Sequence, residues 1–228
     1  MTSLTPLSPL TSPDTDRARA ARPWRFRPFE PARAVLESWA LLATWPLLAA
    51  HAAADDHPVL VIPGLGGGNI WTTALRGNLG SAAFNVHGIA PNSQHGTPGM
   101  VIRNFAHRID ELADQHDQQV SVVAWSVGGA YARQAALSRA DRVRRLITLG
   151  APLDGPWYVG PTRRAQRLLP FPTTAIYSRT DGVYHWRRCV QAEGPRAENV
   201  QVFSSHFGMA NNPLAIRVVA DRLGRPPE

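Results

Sequence analysis

From Pro58 onward, short β-branched or apolar runs alternate with longer amphipathic ones, and that alternation admits few architectures. The short runs predict strands at Val59–Ile62, Phe84–Gly88, Val120–Ala124, Arg145–Leu149, Thr174–Ser178 and Val200–Phe203. The longer ones predict helices at Ile70–Leu79, Met100–His116, Val127–Ser138 and Pro213–Leu223. In Met100–His116, Ile102, Phe105, Ile109 and Leu112 recur three or four apart and make one buried stripe. Strands separated by helices of this length pair in parallel, and the resulting sheet is covered on both faces. The expectation is an α/β fold of three layers, a mostly parallel sheet of about six strands flanked by helices. At 228 residues the chain is the length of one such domain.

The N-terminal quarter reads differently. Pro6, Pro9, Pro13, Pro23, Pro28 and Pro31 interrupt a Ser/Thr-rich stretch that turns Arg-rich, so residues 1–33 are expected to form a disordered or extended arm. Residues 34–57 follow as an apolar helix and linker, with Pro46 as a kink or second start, and residues 58–228 as the main domain. The arginines, the short apolar run and the small residues after it mimic a secretory leader cleaved near Ala52/Ala53. Against that, the region ahead of the apolar run is more than 30 residues long and carries Glu30, with Glu37 in the run itself. The favoured reading is a docked or interfacial helix on a cytoplasmic protein, with residues 17–50 open to peripheral membrane contact. No run of about 18 uncharged apolar residues is present, so no transmembrane helix is expected.

All 24 basic residues are arginine, and the formal net charge of +7 invites a nucleic-acid reading. The arginines are scattered, many beside acids as in Arg108-Ile109-Asp110-Glu111, and no nucleic-acid partner is expected. A lone Cys189 excludes a disulfide framework and a cysteine-rich zinc site. His107, Asp110, Glu111, Asp114, His116 and Asp117 share one helix but lack H-E-x-x-H. They read as a solvated face, and no metal or other cofactor is expected.

Chemistry concentrates first in Val122-Val123-Ala124-Trp125-Ser126-Val127-Gly128-Gly129-Ala130. It reads as a strand, a small-x-Ser-x-Gly turn, and a helix that begins directly after the serine. Such a turn lifts the hydroxyl out of the sheet, and the helix start points free N–H groups and positive partial charge at its surroundings. A serine hydroxyl needs a base, and the base an orienting acid, both on loops after later strands. Asp181 follows the strand Thr174–Ser178, and His206 follows Val200–Phe203, so the chain order is Ser, Asp, His. Asp154, after the strand that follows the serine, is the reserve acid. Two donors for an oxyanion are expected at the Val127 amide and, from the glycine-rich loop Pro63–Asn69, at the Leu65 amide. That loop matches neither G-x-x-x-x-G-K-[ST] nor G-x-G-x-x-G, so a nucleotide is not expected.

Taken together, Pro63-Gly64-Leu65, Ala124-x-Ser126-x-Gly128, Ser178-Arg179-Thr180-Asp181-Gly182-Val183 and Ser205-His206 resemble the α/β-hydrolase superfamily. The likeness covers about residues 58–223 and is greatest to compact, lid-poor lipases and esterases and related bacterial hydrolases. It implies a Ser126–Asp181–His206 triad, an oxyanion hole from Leu65 and Val127, and a small-molecule or lipid ester as substrate. Two positions depart from the pattern: Pro63-Gly64 stands where many lipases have His-Gly, and Ala124 where most have Gly. The 55 residues from Ser126 to Asp181 and 25 from Asp181 to His206 leave no room for a large helical cap. Only Gly150–Pro172 could shape a flap, through Trp157, Leu168, Leu169 and Phe171. The same triad could serve an acyltransferase or a thioesterase. A catalytically inactive membrane- or partner-binding module is the reading from another class. The oligomeric state is not specified by the sequence.

Overall fold

The computed structural model of the protein describes residues 25–49, 56–154 and 168–226. The arm before residue 25, the Ala52/Ala53 junction and the flap candidate Trp157 lie outside the described residues.

Apolar side chains of the inner strands point alternately to either side of one sheet and find both faces covered. Its strands are β1 (Pro58–Ile62), β2 (Asn85–His87), β3 (Val120–Trp125), β4 (Val143–Leu149), β5 (Thr173–Tyr177) and β6 (Ala197–Gln201). They lie in the order β2-β1-β3-β4-β5-β6, and every neighbouring pair is parallel. The helices are α1 (Glu30–Ala49), α2 (Thr73–Ser81), α3 (Pro98–His116), α4 (Val127–Ser138) and α5 (Pro213–Leu223). Leu60, Ile62, Val122 and Ala124 point to one face and meet Phe105, Ile109 and Leu112 of α3 and Tyr131 of α4. Val59, Val61, Val123 and Trp125 point to the other and meet Leu41 of α1, Leu79 of α2 and Ile216 and Val219 of α5. Each fully buried aliphatic or aromatic side chain of this kind contributes roughly 1.5–3 kcal/mol of transfer free energy. The three-layer α/β expectation is met.

Element ends are set by capping and pairing more than by hydropathy. Helix α3 begins at Pro98, two residues before the predicted start, because proline is accommodated in a first turn and the Thr97 hydroxyl accepts from Met100 N–H. It stops at Asp117, which adopts the left-handed conformation. The first part of the predicted helix Ile70–Leu79 is a 3₁₀ turn, Asn69–Thr72, and α2 follows it. Strand β6 lies upstream of the predicted Val200–Phe203, because register with β5 pairs Thr173 with Ala197 and Tyr177 with Gln201.

The N-terminal boundary needs correction. Residues 25–33, assigned to the arm on their prolines, instead hold a 3₁₀ turn, Arg27–Phe29, and the first residues of α1. Pro31 fits because the first-turn amide it lacks would have no intrahelical partner. Pro46 lies inside α1 and does not divide it. The helix docks along α2 and α5, where Trp45 Nε1 donates to Ser81 Oγ at 3.3 Å and Leu41 is buried in the core. No helix among the described residues is long and apolar enough to cross a membrane.

Candidate active site

The chain runs from β1 to β2 on one side and then places β3 on the other side of β1, so the connections diverge above the carboxyl ends of β1 and β3. Open parallel sheets form their crevice at such a point. Ser126 stands there, between β3 and α4, with φ 56° and ψ −141°, a backbone conformation that costs a non-glycine residue about 1–3 kcal/mol. Its surroundings over-determine it: Ser126 N–H donates to Leu149 O at 2.9 Å, and Gly129 N–H donates to Ser126 O at 2.9 Å. Gly128 permits the turn, since a Cβ there would overlap the Pro63 carbonyl.

From the later strands come the two partners. Asp181 sits after β5 and His206 after β6; the imidazole reaches Ser126 and the carboxylate lies behind it. Ser126 Oγ lies 2.9 Å from His206 Nε2, and His206 Nδ1 lies 2.8 Å from Asp181 Oδ2. The carboxylate fixes the tautomer: Nδ1–H donates to Asp181, which leaves Nε2 to accept from the serine hydroxyl. Asp181 Oδ1 accepts from the Val183 and Tyr184 amides, each at 2.8 Å, so its position is fixed by the backbone that follows it. Ser126, Asp181 and His206 are 8%, 2% and 2% exposed, which shields the pair from competing water.

The two loops are also joined to each other. Ser178 Oγ donates to Ser204 O at 2.7 Å and accepts from Ser204 N–H at 3.1 Å. Trp125 Nε1, from the strand that carries the serine, donates to His206 O at 3.1 Å. Tyr184 and Phe207 stand edge-on to the imidazole, at centroid separations of 5.2 and 5.7 Å.

Val127 is the first residue of α4, where amides have no intrahelical acceptor. Leu65 lies in the loop beside the serine; a Cβ on the preceding Gly64 would sit 3.2 Å from Ser126 Cβ. Gln94 was missed from the sequence. Its Nε2 donates to Pro63 O at 2.9 Å and Gly64 O at 3.1 Å, bracing that loop from the segment before α3. The only sequence signal for it is the polar, glycine-bearing character of 91–99.

Other candidates do not join the cluster. Asp154 Oδ1 accepts from Arg188 Nε at 2.7 Å, an ion pair that occupies the reserve acid. Burial pushes the Cys189 thiol well up, which disfavours the thiolate. On α3, Asp110 pairs with Arg139 and Arg142, Asp114 with Arg142, and Glu111 with His107 and Arg108. Among the described residues, no three His, Cys, Asp or Glu side chains converge as a metal site.

This sheet order, with a serine at the turn after β3 and an acid and an imidazole after β5 and β6, is the α/β-hydrolase fold. Solved structures similar to this chain include lipases and esterases. Lipase B of Aspergillus fumigatus superposes with a TM-score of 0.66 at 19% identity, over 77% of this chain and 54% of that one. Carboxylesterase CesB of Bacillus subtilis gives 0.56 at 11% identity, over 83% of this chain and 99% of its own. The monoacylglycerol lipase of Paleococcus ferrophilus gives 0.56 at 13% identity, over 73% and 93%. The chain thus spans about half the length of the fungal lipase and nearly all of the two prokaryotic enzymes. No family model and no curated protein matches the sequence.

Proposed function

We propose that the protein is a serine hydrolase that cleaves carboxylic esters through an acyl-enzyme on Ser126. One observation carries the reading: the continuous relay from Ser126 Oγ through the His206 ring to Asp181, at 2.9 and 2.8 Å. His206 Nε2 takes the hydroxyl proton as Oγ attacks the ester carbonyl. Asp181 stabilises the imidazolium that forms, and the Val127 and Leu65 amides hold the tetrahedral oxyanion. When the oxyanion collapses, the bond to the alcohol oxygen breaks and His206 returns the proton to it. Water, deprotonated by the same nitrogen, then attacks the acyl-enzyme; the acyl–Ser126 Oγ bond breaks, His206 returns the proton to Oγ, and the acid is released.

An ester with a sizeable apolar part fits best. A hollow of about 840 Å³ opens between α1 and α2, lined by Trp39, Leu42, Ile70, Trp71 and Phe207. Trp71 stacks on Trp125 at 6.0 Å and approaches Phe207 at 6.4 Å, so this lining begins against the residues that flank the relay. Trp39, Leu42 and Ile70 are exposed, and such a flank suits contact with a lipid surface that delivers substrate.

The test is hydrolysis of p-nitrophenyl esters of graded chain length. Ser126→Ala is expected to lower turnover by about 10⁴-fold or more, with the thermal transition unchanged. Equal turnover in the variant would remove Ser126 from the reaction.

A further inference from the structure

Several of the polar groups that hold the loops of Asp181 and His206 come from outside the sheet, from α1. Glu30 is 1% exposed. Its Oε1 accepts from Gly182 N–H at 2.7 Å, and its Oε2 accepts from His206 N–H at 2.7 Å and Phe207 N–H at 3.1 Å. One carboxylate therefore bridges the residue after Asp181 to the backbone of His206 itself. A turn later Arg33 donates to Thr180 O at 2.6 Å and Thr180 Oγ1 at 2.8 Å. Two turns after Glu30, Glu37 Oε1 accepts from Ser205 N–H at 2.7 Å, and its Oε2 accepts from the Ser204 and Ser205 hydroxyls, each at 3.0 Å. Gly208 leaves room for this contact, since a Cβ there would overlap the Glu37 carboxylate.

Positions 30, 33 and 37 fall at spacings of three and four, which puts them on one face of the helix. Docking alone would be served by apolar side chains, because buried carboxylates lose solvation that only hydrogen bonds return. Burial raises the Glu37 carboxyl above its ordinary 4.5, against the lowering effect of the Ser205 amide and the two hydroxyls. What the two acids add is direction: four backbone amides of the two loops, at Gly182, Ser205, His206 and Phe207, are fixed to one rigid helix.

We infer that Glu30 and Glu37 are positioning residues for the proposed ester hydrolysis, holding the backbone on which Asp181 and His206 ride so that the relay keeps its length. The inference rests on the hydrolase reading of Ser126. Neither carboxylate touches the reacting atoms; each acts through a loop. A displacement of about 1 Å at such a site costs on the order of a hundredfold in rate. A chain cut before Ala53 would lack both acids.

The test uses the full-length chain, with active sites counted by a fluorophosphonate probe and kcat expressed per counted site. Glu30→Gln keeps the side-chain size but turns one accepting oxygen into a donor that faces an amide. It is expected to lower kcat about tenfold to a hundredfold, with KM within about twofold of the parent. Glu37→Gln, the second variant should the first not fold, is expected to lower kcat about threefold to tenfold. Leu41→Ala loosens the same helix through its apolar face and leaves the carboxylates in place; it is expected to keep kcat per site within about twofold. Full kcat in both Gln variants, or an equal loss in Leu41→Ala, overturns the positioning role. A wild-type protein that neither takes the probe nor hydrolyses ester overturns the hydrolase reading instead, and the inference falls with it.

Discussion

At the scale of single residues, the decisive feature is how Ser126, His206 and Asp181 are each held by backbone as well as by each other. The serine is fixed by a positive φ that Leu149 O and the α4 start both support. Asp181 accepts from two amides besides the imidazole, whereas Asp154 is held by Arg188. The two acids can therefore be told apart kinetically. Asp181→Asn should lower kcat by about 10⁴-fold, because an amide in that place favours the wrong imidazole tautomer. Asp154→Asn should leave kcat within about twofold. Comparable losses in both variants would return Asp154 to contention as the orienting acid.

At the scale of elements, the edge of the sheet beneath the His206 loop is secured by an ion pair between β6 and α5. Glu198 Oε2 accepts from Arg222 Nη2 at 3.1 Å, and its Oε1 also accepts from Thr174 Oγ1 at 2.8 Å. The bond from Arg222 is the largest cause holding the Glu198 carboxyl below its ordinary 4.5. With the folded value depressed, the unfolded chain binds the proton first as pH falls. The contribution to stability is therefore complete above the ordinary value and is lost as pH drops through the folded one. Between about pH 5 and 3 the wild-type Tm should fall more steeply than that of Glu198→Gln; parallel curves would show that the pair is not felt in stability. The same elements show what the sequence could tell. The apolar runs of β1 and β3 and the stripe of α3 were legible because burial writes them directly into residue type. Strand β6 was displaced because an edge strand carrying Glu198 and Asn199 shows weak alternation, and pairing with β5 sets its register.

At the scale of the whole molecule, chain order pointed to the three polar residues that cluster, Ser126 and Asp181 after readable strands and His206 after a strand whose bounds the sequence misplaced. The role of α1 was hidden for a physical reason. Prolines at 28 and 31 look like breakers until one knows that a helix starts there, and Glu30 looks like a solvated acid until the loops it accepts from fold over it. A buried carboxylate whose partners are backbone amides more than 150 residues away leaves no local pattern in a sequence. The fold thus assembles its site from both ends of the chain, and the proposed chemistry requires the assembled serine to be a nucleophile. Peptide mapping of the wild-type protein after reaction with a fluorophosphonate tests this most directly. The phosphonyl adduct should appear on Ser126 and should be lost, or slowed by orders of magnitude, in His206→Ala. An unmodified Ser126, or an adduct that forms equally fast without His206, would contradict the proposed chemistry.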